Sequence, residues 1–155
     1  MTIQEVLKLD LGKKHILILG EPASGKTHVS KIIDANDWYT VHTDNYIGFG
    51  IERGLEAIIE DSALTHNKPF SLVEGCGGYD LLLEGHKSGR YIPDIIIDVQ
   101  ISKAKQREIY MRERNKSKIK RMEWVRQKHM QIMNEWHRLT ENTERPIIYQ
   151  LNNEF

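Results

Sequence analysis

With 155 residues, 39% hydrophobic and 28% charged, the chain has the size and balance of one folded domain spanning 1–155. Basic and acidic residues number 22 each, so net charge selects no class of partner. A single cysteine, Cys76, excludes an intrachain disulfide, and no apolar run approaches the ~20 residues of a membrane span.

The amino-terminal MTIQEVLKLDLGKK lacks the apolar centre of a signal peptide, and with the lone thiol this predicts a cytoplasmic location with no membrane partner. His15 to Leu19 (HILIL) is a continuous apolar run that stops at Gly20, the pattern of a strand buried on both faces. Lys26 to Asn36 follows as a helix. Trp38 to His42 (WYTVH) is rich in β-formers and ends at Thr43-Asp44. Ile51 to Leu64 has helical spacing through Leu55, Ile58 and Ile59, and Lys68-Pro69 closes it. Phe70 to Val73 reads as a third strand, after which Gly75, Gly77 and Gly78 demand a loop. Tyr79 to His86 is a short helix. Pro93 precedes a fourth buried strand over Asp94 to Val99 (DIIIDV). Ser102 caps a helix running to Arg114, Asn115 to Lys120 is a polar connection, and Met122 to Leu139 is a long amphipathic helix. Pro146 leads into a fifth strand, Ile147 to Leu151.

This alternation predicts an α/β fold with a parallel sheet covered by helices on both faces. Ligands of such sheets bind beyond the carboxyl ends of the strands. The informative segments are therefore Gly20 to Thr27, Thr43 to Tyr46, Glu74 to Gly78 and Asp98 to Gln100.

Gly20-Glu21-Pro22-Ala23-Ser24-Gly25-Lys26-Thr27 matches G-x-x-x-x-G-K-[ST], between a buried strand and a helix. Gly20 and Gly25 are expected to take backbone angles that strain other residues. The loop then aims N–H groups at a β-phosphate, at a helix start whose dipole favours anions. Lys26 is placed to bridge β- and γ-phosphates and the Thr27 hydroxyl to ligate Mg²⁺. The nucleotide-binding set is thus Gly20, Glu21, Pro22, Ala23, Ser24, Gly25, Lys26, Thr27 and His28, with ATP and Mg²⁺ as the implied ligands.

Such a loop also serves motors, GTPases and transporters. A GTPase needs a base-reading NKxD element, and the chain has none. Asp44, after the second strand, is the candidate base that takes the proton of an acceptor hydroxyl; the simpler alternative is a turn or helix-capping Asp. Glu74, ending the third strand, is a candidate for Mg²⁺ through water or for substrate, with Tyr46 and Gly75 beside the same acceptor, or else accepts loop N–H groups. Cys76 is a bystander, since phosphoryl transfer needs no thiol, and Asp98 is left outside the ligand-contacting set.

Charge is unevenly spread. Met1 to Val99 carries 9 basic and 15 acidic residues, whereas Gln100 to Arg145 carries 13 basic and 6 acidic, net +7. Arg107, Arg112, Arg114, Lys116, Lys118, Lys120 and Arg121 cluster around the polar connection. A basic helical lid at about 112–122 closing over ATP would neutralise charge on the transferring phosphoryl group, with Arg107 and Arg112 as the catalytic arginines; the alternative is a solvated helical hairpin. Trp124 and Trp136 are expected to pack in the core or hairpin rather than to stack on bases.

Together, GEPASGKT, Asp44-Asn45-Tyr46, Val73-Glu74-Gly75, Ile97-Asp98, and Arg107 with Arg112 resemble the P-loop nucleoside and nucleotide kinase group, most of all uridine-kinase-type enzymes. The resemblance spans nearly the whole chain, with the phosphate loop its specific element. It implies a P-loop kinase fold, a five-stranded parallel sheet of order 2-3-1-4-5, and Asp44 as the activating base. Tyr46 follows Asp44 by two residues rather than three, the R-G-R run of the lid is missing, and the chain is shorter than typical uridine kinases.

The first expectation is therefore an ATP-dependent kinase acting on a hydroxyl of a nucleoside, nucleotide or similar metabolite. Small viral kinases of this superfamily phosphorylate DNA or RNA at 5′ ends or hydroxymethylated bases, and the reduced substrate side and basic back half suit that second reading. A third is an ATPase or nucleotide switch that makes no phosphorylated product.

Overall fold

The computed structural model describes residues 2–8, 14–34, 40–49, 51–65, 68, 70–112 and 118–152. In chain order these form α1 (Ile3–Leu7), β1 (His15–Gly20), α2 (Lys26–Asp34), β2 (Thr40–His42), a 3-10 helix (Thr43–Phe49), α3 (Ile51–Thr65), β3 (Ser71–Glu74), α4 (Gly78–Ser88), β4 (Ile95–Gln100), α5 (Lys103–Arg112), α6 (Ile119–Leu139) and β5 (Ile147–Asn152). All strand pairings are parallel, and the sheet runs β2-β3-β1-β4-β5. The 2-3-1-4-5 order is the one anticipated.

The period-two alternation of side chains sorts each apolar run between two layers. Leu17, Leu19, Val41, Val73 and Ile96 project toward α3, α4 and α6, where they meet Ile58, Ile59, Leu82 and Trp136. Ile16, Ile18, Leu72, Ile97 and Leu151 project the other way, toward Val6 of α1 and Val29 and Ile33 of α2. Being covered on both faces is why β1 and β4 read as unbroken aliphatic runs rather than alternating ones. The central register sets Leu17 beside both Val73 and Ile96, so β1 leads its carboxyl end into the middle of the crevice.

Several elements differ from their expected bounds. β3 runs Ser71–Glu74 rather than Phe70–Val73, with Glu74 ending the strand as expected. Gly78 is the first residue of α4, not loop. α6 starts at Ile119, which makes Ile119 and Lys120 helical rather than part of the polar connection. Residues 113–117 of the expected lid, Trp38 and Tyr39 of the expected second strand, and Ala35 and Asn36 of the first helix lie outside the described residues. The 3-10 helix had no periodic signal, and the five-residue α1 is too short to generate one. Ser102 does cap α5, its hydroxyl accepting from Lys105 N at 3.1 Å. Among the described residues no helix is long and apolar enough to cross a membrane.

The two tryptophans of α6 part company. Trp136 is 1% exposed within the α4–α6 layer, as expected, whereas Trp124 is 61% exposed and is not core. Trp136→Ala should therefore lower unfolding free energy by about 3–5 kcal/mol, as loss of a buried aromatic does, while Trp124→Ala should stay within about 0.5 kcal/mol of the parent. Urea unfolding with an unchanged m-value checks both.

Candidate functional site

β1 hands the chain to the GEPASGKT segment at the centre of the sheet. Gly25 has φ 90°, a left-handed angle that glycine adopts without strain. Gly20 has no such angle; it is needed because a Cβ there would collide with the Ser24 hydroxyl, a steric reason in place of the conformational one expected. Ala23 takes φ 67°, an uncommon left-handed non-glycine residue inside the same loop. Ser24 N donates to Glu21 O at 3.0 Å, closing a tight turn, and Val29 N donates to Gly25 O at 3.1 Å as α2 begins. The Lys26 side chain is buried and folds back over the loop, its Nζ 3.5 Å from Glu21 O. That contact is at the outer limit of a hydrogen bond, so a better acceptor can replace it. Thr27 and His28 are exposed at the start of α2.

The carboxyl end of β2 is pinned to the turn after β3. Thr43 Oγ1 accepts from Gly77 N at 3.0 Å, and Asp44 Oδ1 accepts from Cys76 N at 3.1 Å. Gly75, at φ 130°, lets the two backbones approach; a Cβ would run into Thr43 Oγ1. The Asp44 carboxylate is otherwise exposed. The Cys76 thiol marks the crevice between the two halves. Burial pushes its pKa up, while the Lys26 ammonium opposes this and the Asp44 and Glu21 carboxylates add to it. The Asp44–Cys76 bond thus joins residues 32 positions apart, and Lys26 meets Glu21 within the loop.

Glu74 is buried, and one oxygen is used: Oε1 lies 2.6 Å from His42 Nδ1, its register neighbour on β2. Alternation from Leu72 puts Glu74 on the layer of α2, the helix that carries Lys26 and Thr27. Its Oε2 is buried and without a partner among the described residues. Tyr46 is turned away from an open acceptor role, because its hydroxyl donates to Asp61 Oδ2 on α3. Gly75 lies under Asp44, in the turn rather than in open space.

A second set of contacts joins the loop to α5 and α6. Gln106, fully buried, donates to Pro22 O at 2.8 Å and accepts from Arg126 Nη1 at 2.9 Å; Arg126 Nη2 also donates to Ile101 O at 3.2 Å. Buried His129 holds Glu21 Oε2 through Nδ1 at 2.9 Å and stacks on Tyr79 with centroids 3.9 Å apart. Glu21, Tyr79, Arg126 and His129 border a cavity of about 960 Å³ beside the ends of β4 and β5, also lined by Asp98 and Asn152. Burial pushes the Asp98 carboxyl up, opposed by a hydrogen bond from Gln100 and reinforced by Glu21. Asp98 sits on the α6 layer and Glu74 on the α2 layer, so only Glu74 shares a layer with Lys26 and Thr27.

Arg107 and Arg112 stand apart. Arg107 pairs with Glu123 of α6 at 3.3 Å on an exposed face, and Arg112 is exposed at the end of α5. Neither has a described contact with the loop. Arg126, Gln106, His129 and His42, which do contact the crevice walls, were not singled out from the sequence. His129 left a signal, a polar residue inside the apolar stripe Met122, Ile132, Trp136; Gln106 and Arg126 left none. Among the described residues no group of three or more His, Cys, Asp or Glu is gathered to hold a metal on its own. No protein-family model matches the chain, and no curated protein matches it.

The Tyr46 phenol is pushed up to about 12, first by burial and then by its hydrogen bond to Asp61 and that residue's charge. The folded state therefore keeps this proton after the unfolded chain has lost it. Its contribution is complete below the ordinary tyrosine pKa of ~10 and is lost as pH rises toward 12. Between those values wild-type stability should fall more steeply than that of Tyr46→Phe, as read by urea unfolding at a series of pH values; parallel slopes would contradict the assignment.

Proposed function

We propose that the chain is an ATP-dependent P-loop kinase that transfers the γ-phosphate to an alcohol group, with Asp44 as the base. The observation that carries this reading is the G-x-x-x-x-G-K-T loop set between the central strand β1 and α2, with Lys26 buried over it and the Asp44 carboxylate held by Cys76 N beyond the end of β2. A loop of this pattern on a strand–helix turn supplies inward N–H groups for the β-phosphate. Lys26, released from Glu21 O, binds β- and γ-oxygens and stabilises charge as the phosphoryl group leaves. Asp44, held by Cys76 N through Oδ1, keeps Oδ2 for the acceptor proton.

The residues fit Mg²⁺. Thr27 is exposed at the start of α2, and Glu74 Oε2 is a buried oxygen without a described partner on the same layer. When bound, Mg²⁺ neutralises charge on the β- and γ-phosphates. The cavity by Glu21 has the size of a small-molecule pocket and lies on the side of the loop away from Asp44, where the nucleoside end of ATP would sit. Arg126, anchored through Gln106 to Pro22, is a nearer arginine to the loop than Arg107 or Arg112.

Lys26→Ala should abolish turnover. Asp44→Asn should retain ATP binding, measured by calorimetry, while lowering the transfer rate about 10²–10⁴-fold, the usual range for a general base. Near-normal transfer by Asp44→Asn would remove Asp44 from the mechanism.

A further inference from the structure

We propose that the solvent face of α6 is a docking surface for single-stranded nucleic acid, with Trp124 as a base-stacking platform. Trp124 is 61% exposed near the start of a long helix, where an apolar side chain gains nothing from the fold. Helical spacing sets Lys120, Arg121, Gln127, Lys128 and Gln131 around it. Lys128 Nζ lies 5.8 Å from the centroid of the Trp124 ring. His129 and Trp136, on the opposite side of the helix, are the residues that bind it to the domain.

The charge on this face is one-signed in effect. The two acids of α6 are each engaged by a neighbouring helix, Glu123 by Arg107 at 3.3 Å and Glu135 by Lys87 at 3.2 Å. Among the described residues Lys120, Arg121 and Lys128 have no acidic partner. The stripe therefore combines cations without an acidic partner, amides and one exposed aromatic ring beside which Lys128 Nζ sits. That combination tracks a phosphate backbone while stacking an unpaired base. A duplex keeps its base faces covered, and a membrane surface would call for further apolar groups where Gln127 and Gln131 stand.

The site is also well placed. His129 touches Glu21 from the inner side of α6, so the outer face lies about one helix diameter, ~10–12 Å, from the loop. A strand held there has its end within reach of the crevice. The inference needs no phosphoryl transfer, and its test is run without ATP, so it fails or holds separately from the kinase reading.

Fluorescence anisotropy with a labelled oligonucleotide of about 15 bases tests it. Trp124→Ala should weaken binding about 10-fold or more, and Trp124→Phe should restore most of it. Arg121→Glu with Lys128→Glu should flatten the salt dependence, lowering the slope of log K against log salt by about 0.7 for each phosphate that is no longer neutralised. A blunt duplex should bind more weakly and without dependence on Trp124. Unchanged binding by a folded Trp124→Ala variant overturns the proposal. So does equal, Trp124-independent binding of duplex and single strand. So does Trp124-dependent binding to phosphatidylserine-rich vesicles with none to the oligonucleotide, which would assign the face to membranes.

Discussion

The crevice depends on one constraint: β1 lies in the centre of a parallel sheet, so every neighbouring strand delivers its carboxyl end to the same edge. Residues far apart in sequence then meet without long loops. Gly20 leaves β1, His42 and Thr43 leave β2, Glu74 ends β3 and Asp98 approaches the end of β4. The one-residue alternation within each strand then decides which layer each side chain joins. It sends Glu74 to α2 and Asp98 to α6, and so separates two carboxylates that look equivalent in sequence.

Around Lys26 the packing is electrostatic as much as steric. A buried ammonium is costly unless compensated. Here the contact found for the ammonium is Glu21 O, at the outer limit of a hydrogen bond. The loop itself is held from both flanks. Gln106 and His129 fix Pro22 and Glu21 from α5 and α6, and the Thr43–Gly77 and Asp44–Cys76 bonds fix the opposite wall. Preorganisation of this kind lets a site stabilise charge without rearranging at the moment of reaction.

Much of this was legible in the sequence. Unbroken aliphatic runs such as HILIL and DIIIDV announce strands covered on both faces, and GEPASGKT announces the turn between β1 and α2. The positions of Asp44 and Glu74 at strand ends followed from the same runs. What was hidden depends on partners distant in sequence. Tyr46 looked available to substrate until Asp61, fifteen residues on, took its hydroxyl. Gln106 and Arg126 are ordinary polar residues on helices, and only the packing of α5 and α6 against the loop gives them a role. Trp124 and Trp136 share one amphipathic helix, and periodicity alone did not separate the bare ring from the buried one.

The most direct measurement is transfer of label from γ-³²P-ATP, run in parallel on nucleosides, nucleotides and single-stranded DNA and RNA, including hydroxymethylated DNA. The kinase reading predicts label on a hydroxyl of at least one acceptor, lost in Lys26→Ala. ATP hydrolysis at the same rate with and without every acceptor, and label only in inorganic phosphate, would contradict it and make the chain an ATPase or switch.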